Sequence, residues 1–264
     1  MRRVRAWTGA KKIPEATGDS PHWAKKPTEK RPQWVVWEVQ KMGEINIREA
    51  IKSRHSVRQF KDTPIADELR EKLDALAKEC SEESGIRVEV IYDDPECFDT
   101  IIAKYGKFEN VVNYIALVGS KSMDNLDEIA GYYGQKMVIA AQGMGLRTCW
   151  VGASYSKGKC KVDKEKGEKI VCVIALGYGA TDGVKHKSKD VSKLCNVPVS
   201  EMPLWFKNGM VAAMMAPTAM NQQKFYVTLN EDEVIITPRK APYAKVDLGI
   251  VKYNFEAVTG KKVQ

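Results

Sequence analysis

The sequence predicts an α+β fold, because helix-type and strand-type patterns alternate and several strands are neighbours along the chain. Apolar residues recur at helical spacing in residues 66–79 and 123–144, whereas residues 86–92 and 170–176 have strand patterns. A hydrophobic share of 44% in 264 residues supports one large core or two modest ones. No apolar run approaches the roughly 18 residues of a membrane span. The basic start is not followed by an apolar segment, so we expect no secretory signal.

The predicted elements follow one another from residue 46. Asn46 is a suitable N-cap for the first helix, and Pro64 precedes the second. Glycines at 145 and 260 suit the ends of the two long helices. The predicted helices cover 47–53, 66–79, a short segment ending at 101, 123–144, 201–215 and 247–258. The predicted strands cover 86–92, 111–118, 147–152, 170–176, and a hairpin at 224–229 and 233–238.

The chain also contains a faint internal repeat. Gly134 and Gly145 bracket one amphipathic helix, and Gly249 and Gly260 bracket another at the same spacing. Chance similarity between two amphipathic helices would explain this as well. The alternative is that the chain consists of two diverged halves of the kind that meet across a dimer.

Residues 1–41 differ from the remainder. They carry a net charge of +6 out of the total of +8, with four of the six tryptophans and no regular periodicity. We expect a disordered or loosely packed extension, or an upstream start with Met42 as the functional one; a folded arm with Trp34 and Trp37 packed on the body is the alternative. The body, residues 42–264, is then close to neutral, which disfavours nucleic acid as a partner.

The six cysteines form no C-x-x-C pair and no Cys/His ligand spacing. Cys149 and Cys172 lie in apolar, strand-like runs, where buried reduced thiols are expected. We therefore expect no metal site and a reducing cytoplasmic location.

Two separated segments suggest a phosphate-bearing heterocycle as ligand. Residues 53–60 read SRHSVRQF, and their guanidiniums suit the bidentate geometry of a phosphate. Residues 216–223 read APTAMNQQ, a helix break followed by small and amide side chains that suit a planar ring. A solvated cationic helix end and a plain helix C-terminus would explain the same residues. Together the two segments suit flavin mononucleotide (FMN).

These segments, with residues 145–152 (GLRTCWVG), resemble motifs of the nitroreductase family of FMN-dependent oxidoreductases. The first motif matches at Arg54, His55, Ser56, Arg58 and Phe60. The second matches at Ala216, Pro217, Asn221 and Gln223, with Thr218 in place of serine and Lys224-Phe225 in place of proline and tryptophan. The resemblance implies a central, mostly antiparallel sheet flanked by helices. It also implies FMN as the cofactor, with an open flavin face that admits a broad range of electron acceptors, and NAD(P)H as the reductant.

The resemblance also implies roles for individual residues. Arg54 and Ser56 would bind the phosphate or ribityl chain, and Arg58 would lie near the pyrimidine edge, where positive charge stabilises reduced flavin. Backbone groups just after the strand of the third motif would approach flavin N5, since Gly152 and Ala153 are small enough to permit such an approach. The whole predicted cofactor site is Arg54, His55, Ser56, Arg58, Val151, Gly152, Lys185, Lys187, Pro217, Thr218, Asn221 and Gln223. An ordinary core strand followed by a turn would be a simpler explanation for residues 151–152. A loop of solvated lysines would be a simpler explanation for residues 185–187.

One departure from the ordinary family pattern affects the expected assembly. The second motif occurs only in the later half of the chain, not on the helix that follows the first motif. This is similar to a nitroreductase subgroup in which the two halves of a dimer are fused in one chain. We therefore expect one complete flavin site per chain, in a monomeric pseudo-dimer or a homodimer.

The expected function is hydride transfer from NAD(P)H through flavin to a nitroaromatic, quinone or similar small-molecule acceptor, with no catalytic side chain because the flavin supplies the chemistry. Dehalogenation or a step in cofactor metabolism on the same fold is an alternative, with residues 93–113 as the candidate lid. A non-catalytic flavin- or nucleic-acid-binding protein is another. A Rossmann dehydrogenase is disfavoured, because no G-x-G-x-x-G motif follows a strand.

Overall fold

The computed structural model describes residues 45–264, and the predictions for residues 1–41 lie outside the described residues. The helices are α1 (Ile47–Ser53), α2 (Asp67–Ser84), α3 (Ile101–Tyr105), α4 (Leu126–Gly143), α5 (Leu204–Met214) and α6 (Ala244–Thr259). The strands are β1 (Arg87–Ile91), β2 (Asn113–Ser120), β3 (Arg147–Val151), β4 (Glu168–Gly177), β5 (Phe225–Asn230) and β6 (Glu233–Pro238). None of the helices in this part of the chain is both long and apolar enough to cross a membrane.

The central sheet has four strands in the order β1-β2-β4-β3, and every neighbouring pair is antiparallel. Strands β5 and β6 form a separate hairpin. This arrangement confirms the predicted antiparallel sheet flanked by helices. Strands β2 and β4 are buried on both faces, which explains their nearly continuous apolar sequences.

The two faces of the sheet support two separate cores. Ile115 and Leu117 of β2 face a large core shared by all the helices except α3. Tyr114 and Ala116 point the other way, into a smaller core built from residues 57–60, 97–111 and 155–162 together with the sheet. This alternation follows the two-residue period of a strand. The smaller core supports one side of the candidate site.

Helix α2 continues five residues beyond its predicted end at residue 79. The charged and polar residues 78–84 were interpreted as a helix end. The structure shows that Gly85, in the left-handed conformation at φ 71°, ends the helix instead. Glu79 and Glu83 both pair with the buried Lys136 of α4, at 3.3 and 3.1 Å, so this turn is held by tertiary contacts.

The prediction of a short helix ending at Ile101 is wrong: helix α3 begins at that residue. The Oγ1 of Thr100 accepts a hydrogen bond from the Ala103 backbone N–H at 3.1 Å and caps the helix start. Upstream, Asp94 accepts from the Glu96 N–H at 3.2 Å, which stabilises a turn rather than a helix.

Helices α4 and α6 cross at two glycines. A Cβ added at Gly131 would lie 2.0 Å from the Val246 carbonyl oxygen, and one added at Gly249 would lie 2.0 Å from the Glu128 oxygen. The contact is reciprocal, since each glycine meets the carbonyl three residues before the other. The internal repeat in the sequence makes Gly134, not Gly131, the equivalent of Gly249, and Gly134 packs against the Trp150 ring.

We expect Gly131→Ala or Gly249→Ala to destabilise the fold by about 3 kcal/mol, because the new methyl group overlaps a backbone oxygen that cannot rotate away. This loss outweighs the gain of about 1 kcal/mol that alanine normally brings to a helix. Gly158→Ala is the control, because no atom lies within 4 Å of its added Cβ. Equal urea midpoints for the three variants would contradict the proposed close packing.

Candidate functional site

A cavity of about 640 Å³ lies where five separated segments meet. These are residues 54–58 after α1, 149–154 at the end of β3, 184–187, 217–221, and 243–250 at the start of α6. Eleven of the twelve predicted cofactor residues line it: Arg54, His55, Ser56, Arg58, Val151, Gly152, Lys185, Lys187, Pro217, Thr218 and Asn221. The fold therefore brings the three sequence motifs to one place.

Backbone and side-chain hydrogen bonds position the wall segments. The Val57 N–H donates to the Thr148 carbonyl at 3.0 Å, so the first motif runs beside β3. His55 Nδ1 lies 3.1 Å from the Asp182 carbonyl and is the donor, because a carbonyl can only accept. Asn221 Nδ2 donates to the Lys187 carbonyl at 2.8 Å. The basic segment, residues 182–187, is therefore hydrogen-bonded to the first motif at one end and to the second motif at the other.

The twelfth predicted residue, Gln223, does not line the cavity. It is only 2% exposed, and its Nε2 donates to the Lys187 carbonyl and to Asn221 Oδ1, at 2.8 and 2.9 Å. Its Oε1 accepts from the Lys189 N–H at 2.9 Å. Gln223 therefore lies outside the cavity lining, where its hydrogen bonds orient Asn221 and residues 187–189.

Among the described residues, the cavity contains one buried cation without an anionic partner, and beside it an imidazole nitrogen without a hydrogen-bond partner. Arg54 is 4% exposed, and its buried Nε has no hydrogen-bond partner. No carboxylate of the described residues forms an ion pair with it, and burial lowers its pKa to about 10. His186 Nε2 is likewise buried and unpaired; burial, and then the charge of Arg54, lower the pKa of His186. Such an arrangement favours an anionic ligand.

Asp247 is a cavity residue that the sequence analysis did not identify. It is buried at the start of α6, and burial raises its pKa to about 6. Its carboxylate accepts from the Ala219 N–H at 2.8 Å and from Gln222 Nε2 at 3.0 Å. These bonds hold a turn in which Met220 and Asn221 are left-handed, at φ 51° and 52°. Asp247 therefore shapes the wall that the second motif supplies.

Tyr243 is the second cavity residue that was missed. Its ring packs on Gly152, where an added Cβ would lie 2.4 Å from the ring Cζ. A close approach at Gly152 was predicted, but here the approaching group is this ring. Tyr243 is itself left-handed at φ 60°, which is uncommon for a bulky residue. Burial raises the pKa of its hydroxyl, so the hydroxyl keeps its proton at neutral pH.

The two thiols of the cavity wall are not activated nucleophiles. Burial raises the pKa of Cys149, and it raises that of Cys172 to about 12. Both therefore remain neutral near pH 7. None of the six cysteines forms a disulfide. Among the described residues, no group of three His, Cys, Asp or Glu side chains is placed to bind a metal ion.

The family model described as Putative TM nitroreductase matches residues 46–259, which include every wall of the cavity. The chain belongs to this family. A nitroreductase-family structure from Thermotoga maritima MSB8 has the same fold: the TM-score is 0.60 at 19% identity, over 81% of this chain and 84% of that one.

A second structure from this fold group, from Desulfovibrio desulfuricans in complex with FMN, has a TM-score of 0.47 at 19% identity, over 58% of this chain and 97% of that one. Among curated protein sequences, none matches the chain significantly.

The shifted pKa of Asp247 gives this nitroreductase-family protein a predicted pH dependence. A carboxyl pKa raised from 3.8 to about 6 means that the folded state binds more protons between these values. The stability of the free protein should therefore fall by about 2 kcal/mol as the pH rises from 4 to 7. Asp247→Asn should remove this component, as measured by urea unfolding across that range.

Asp232→Asn serves as the control, because Asp232 is 89% exposed and lies outside the cavity. It should leave the pH profile parallel to that of the wild type. A parallel profile for Asp247→Asn as well would show that the buried carboxylate does not titrate in this window.

Proposed function

We propose that this chain is an FMN-dependent oxidoreductase that takes hydride from NAD(P)H and reduces a nitroaromatic, quinone or similar acceptor. The observation that carries the proposal is the buried, unpaired Arg54 beside the unpaired His186 in a cavity of about 640 Å³. This volume is in the usual range for cofactor sites. The family membership and the three motifs that meet in the cavity support the same conclusion.

The phosphate end of the site is assigned to Arg54, Ser56, His186 and the flanking lysines 185 and 187. A phosphate would give the buried guanidinium and imidazole the hydrogen-bond acceptor that they lack. The lysines add charge on the outer side, where they line the cavity without carboxylate partners among the described residues. The residues present therefore fit the anionic part of FMN.

The ring end of the site is assigned to Arg58, Asn221 and the backbone around Gly152. FMN, when bound, supplies the hydride- and electron-transfer chemistry. Arg58 supplies a permanent positive charge at the cavity wall. The Asn221 amide already donates once to Lys187 and accepts once from Gln223, so one donor and one acceptor site remain for a ligand. Tyr243 shields Gly152 from water with its ring.

The three sequence motifs that meet in the cavity all belong to one chain. We propose that one chain carries one flavin, whether it is a monomer or forms a homodimer. We propose a reducing, cytoplasmic location, in which six cysteines without a disulfide are expected.

We expect Arg54→Gln to weaken FMN binding by about two orders of magnitude, because a charged hydrogen bond to phosphate is lost. The stability of the free protein should stay the same or rise, because an unpaired buried charge is removed. Quenching of flavin fluorescence gives the Kd, and urea unfolding gives the stability.

Arg48→Gln, on helix α1, is the matched control; this helix ends one residue before Arg54. Arg48 is exposed, donates to the Val258 carbonyl at 3.3 Å and does not line the cavity. A lower stability with an unchanged Kd for Arg54→Gln would mean that Arg54 has a structural role only.

The direct test of the proposal is the visible spectrum of the full chain, purified without added cofactor. We expect a yellow protein that releases FMN on denaturation and is bleached by NADH or NADPH without oxygen. A colourless protein that cannot be reconstituted with FMN would refute the oxidoreductase assignment. Flavin that is bound but not bleached would indicate that the protein binds flavin without accepting hydride from NADH or NADPH.

A further inference from the structure

A second pocket of about 330 Å³ adjoins the large cavity. The two share the walls at Arg58, at Trp150–Gly152 and at Ser154. The pocket is closed on its other side by the end of α3 and the turn that follows, residues 105–108. A ligand in the large cavity can therefore extend past Gly152 into this space.

The pocket walls carry two cations and no carboxylate. Arg58 and Lys107 both line the pocket, and within the described residues neither has an acid at ion-pair distance. Lys104, on the short helix α3 that precedes Lys107, differs in that it pairs with Asp99 at 3.2 Å. Glu109 lies two residues from Lys107 but does not line the pocket. The pocket therefore has a positive potential.

The turn that presents Lys107 is tightly built. Lys107 is left-handed at φ 61°, a conformation that costs a lysine free energy and persists only where the surroundings impose it. The Phe108 N–H donates to the Ala103 carbonyl at 3.1 Å. A Cβ at Gly106 would lie 3.0 Å from the Phe108 ring, so there is little room for the turn to relax. The Glu109 N–H donates to the Arg58 carbonyl at 3.0 Å, which ties the two cationic segments together.

Three aromatic residues also line the pocket. Phe108 and Trp150 line the pocket, and the Arg58 guanidinium carbon lies 5.9 Å from the centroid of the Phe108 ring. Tyr105 lies at the rim and is 90% exposed. Aromatic faces favour planar ligands, while the cations favour a negative group.

We propose that this pocket binds an anionic group attached to an aromatic ring, with the ring directed toward the large cavity. The proposal rests on the proposed function and specifies its substrate class: carboxylate-bearing nitroaromatics or quinones are preferred over neutral ones. The phosphates of a nicotinamide reductant are also negatively charged. The experiments below therefore distinguish an anionic acceptor from the reductant as the occupant of the pocket.

The first experiment compares 4-nitrobenzoate with 4-nitrobenzamide, which have nearly the same shape but differ in charge. Binding to the FMN-loaded full chain is titrated by calorimetry in the absence of reductant. We expect tighter binding of the benzoate, and Lys107→Gln should weaken that binding about fivefold. The benzamide Kd should change less than twofold. Lys107→Arg should restore the preference, and Lys104→Gln should leave it intact.

The second experiment compares NADH with the neutral 1-benzyl-1,4-dihydronicotinamide as reductants. If Lys107→Gln raises the KM for NADH alone, and the benzoate is unaffected, the anion in the pocket is the reductant's phosphate. If the variant changes neither the benzoate Kd nor the NADH KM, the pocket assignment is wrong. A chain that takes up no FMN refutes the proposed function instead, so the two failures are distinguishable.

Discussion

The close crossing of α4 and α6 is the contact on which the site depends. Because Gly131 and Gly249 have no side chains, each helix backbone touches the other at a carbonyl oxygen. This brings the first turn of α6, with Val246 and Asp247, up to the cavity wall. One turn further along α4, Gly134 leaves space for the Trp150 ring, which lines the cavity from β3. One glycine-lined face of α4 thus positions two opposite walls.

A buried network of hydrogen-bonded polar side chains also positions α5, the helix that leads into a third cavity wall at residues 217–221. The Trp150 Nε1–H donates to Gln135 Oε1 at 3.2 Å, and Gln135 Nε2 donates to Asn254 Oδ1 at 3.0 Å. Asn254 Nδ2 then donates to the Ala212 carbonyl at 3.0 Å, near the end of α5. Buried amides in such a network have one favourable orientation. The β3 wall and the helix that leads into residues 216–223 are therefore fixed relative to each other.

Much of the architecture was predictable because local signals and tertiary structure agree. Helix α1 and strand β6 have the predicted bounds, since the Asn46 cap accepts from Glu49 as expected and the β-branched run of residues 234–237 ends at Pro238. The start of α3 was misplaced because the cap at Thr100 depends on one side-chain orientation. The end of α2 was misplaced because ion pairs with Lys136 override the polar composition.

The candidate site was predictable only where short motifs mark it. The motif residues were found from their order and chemistry, whereas Asp247 and Tyr243 were not. Asp247 sits in the first turn of a helix, where an acid normally interacts with the helix dipole at the surface, so its burial follows only from the crossing with α4. Tyr243 reaches Gly152 only because its backbone is left-handed, which sequence does not reveal.

The long separation in sequence between α4 and α6 also has a consequence for biosynthesis. Until α6 leaves the ribosome, the glycine face of α4 and the apolar residues around it have no helix to cover them. Such surfaces attract chaperones and aggregate in incomplete chains. Helix α6 also completes the cavity, so a chain interrupted before it would have neither a covered core nor a finished site. A ligand can therefore occupy the finished cavity only after α6 has been translated.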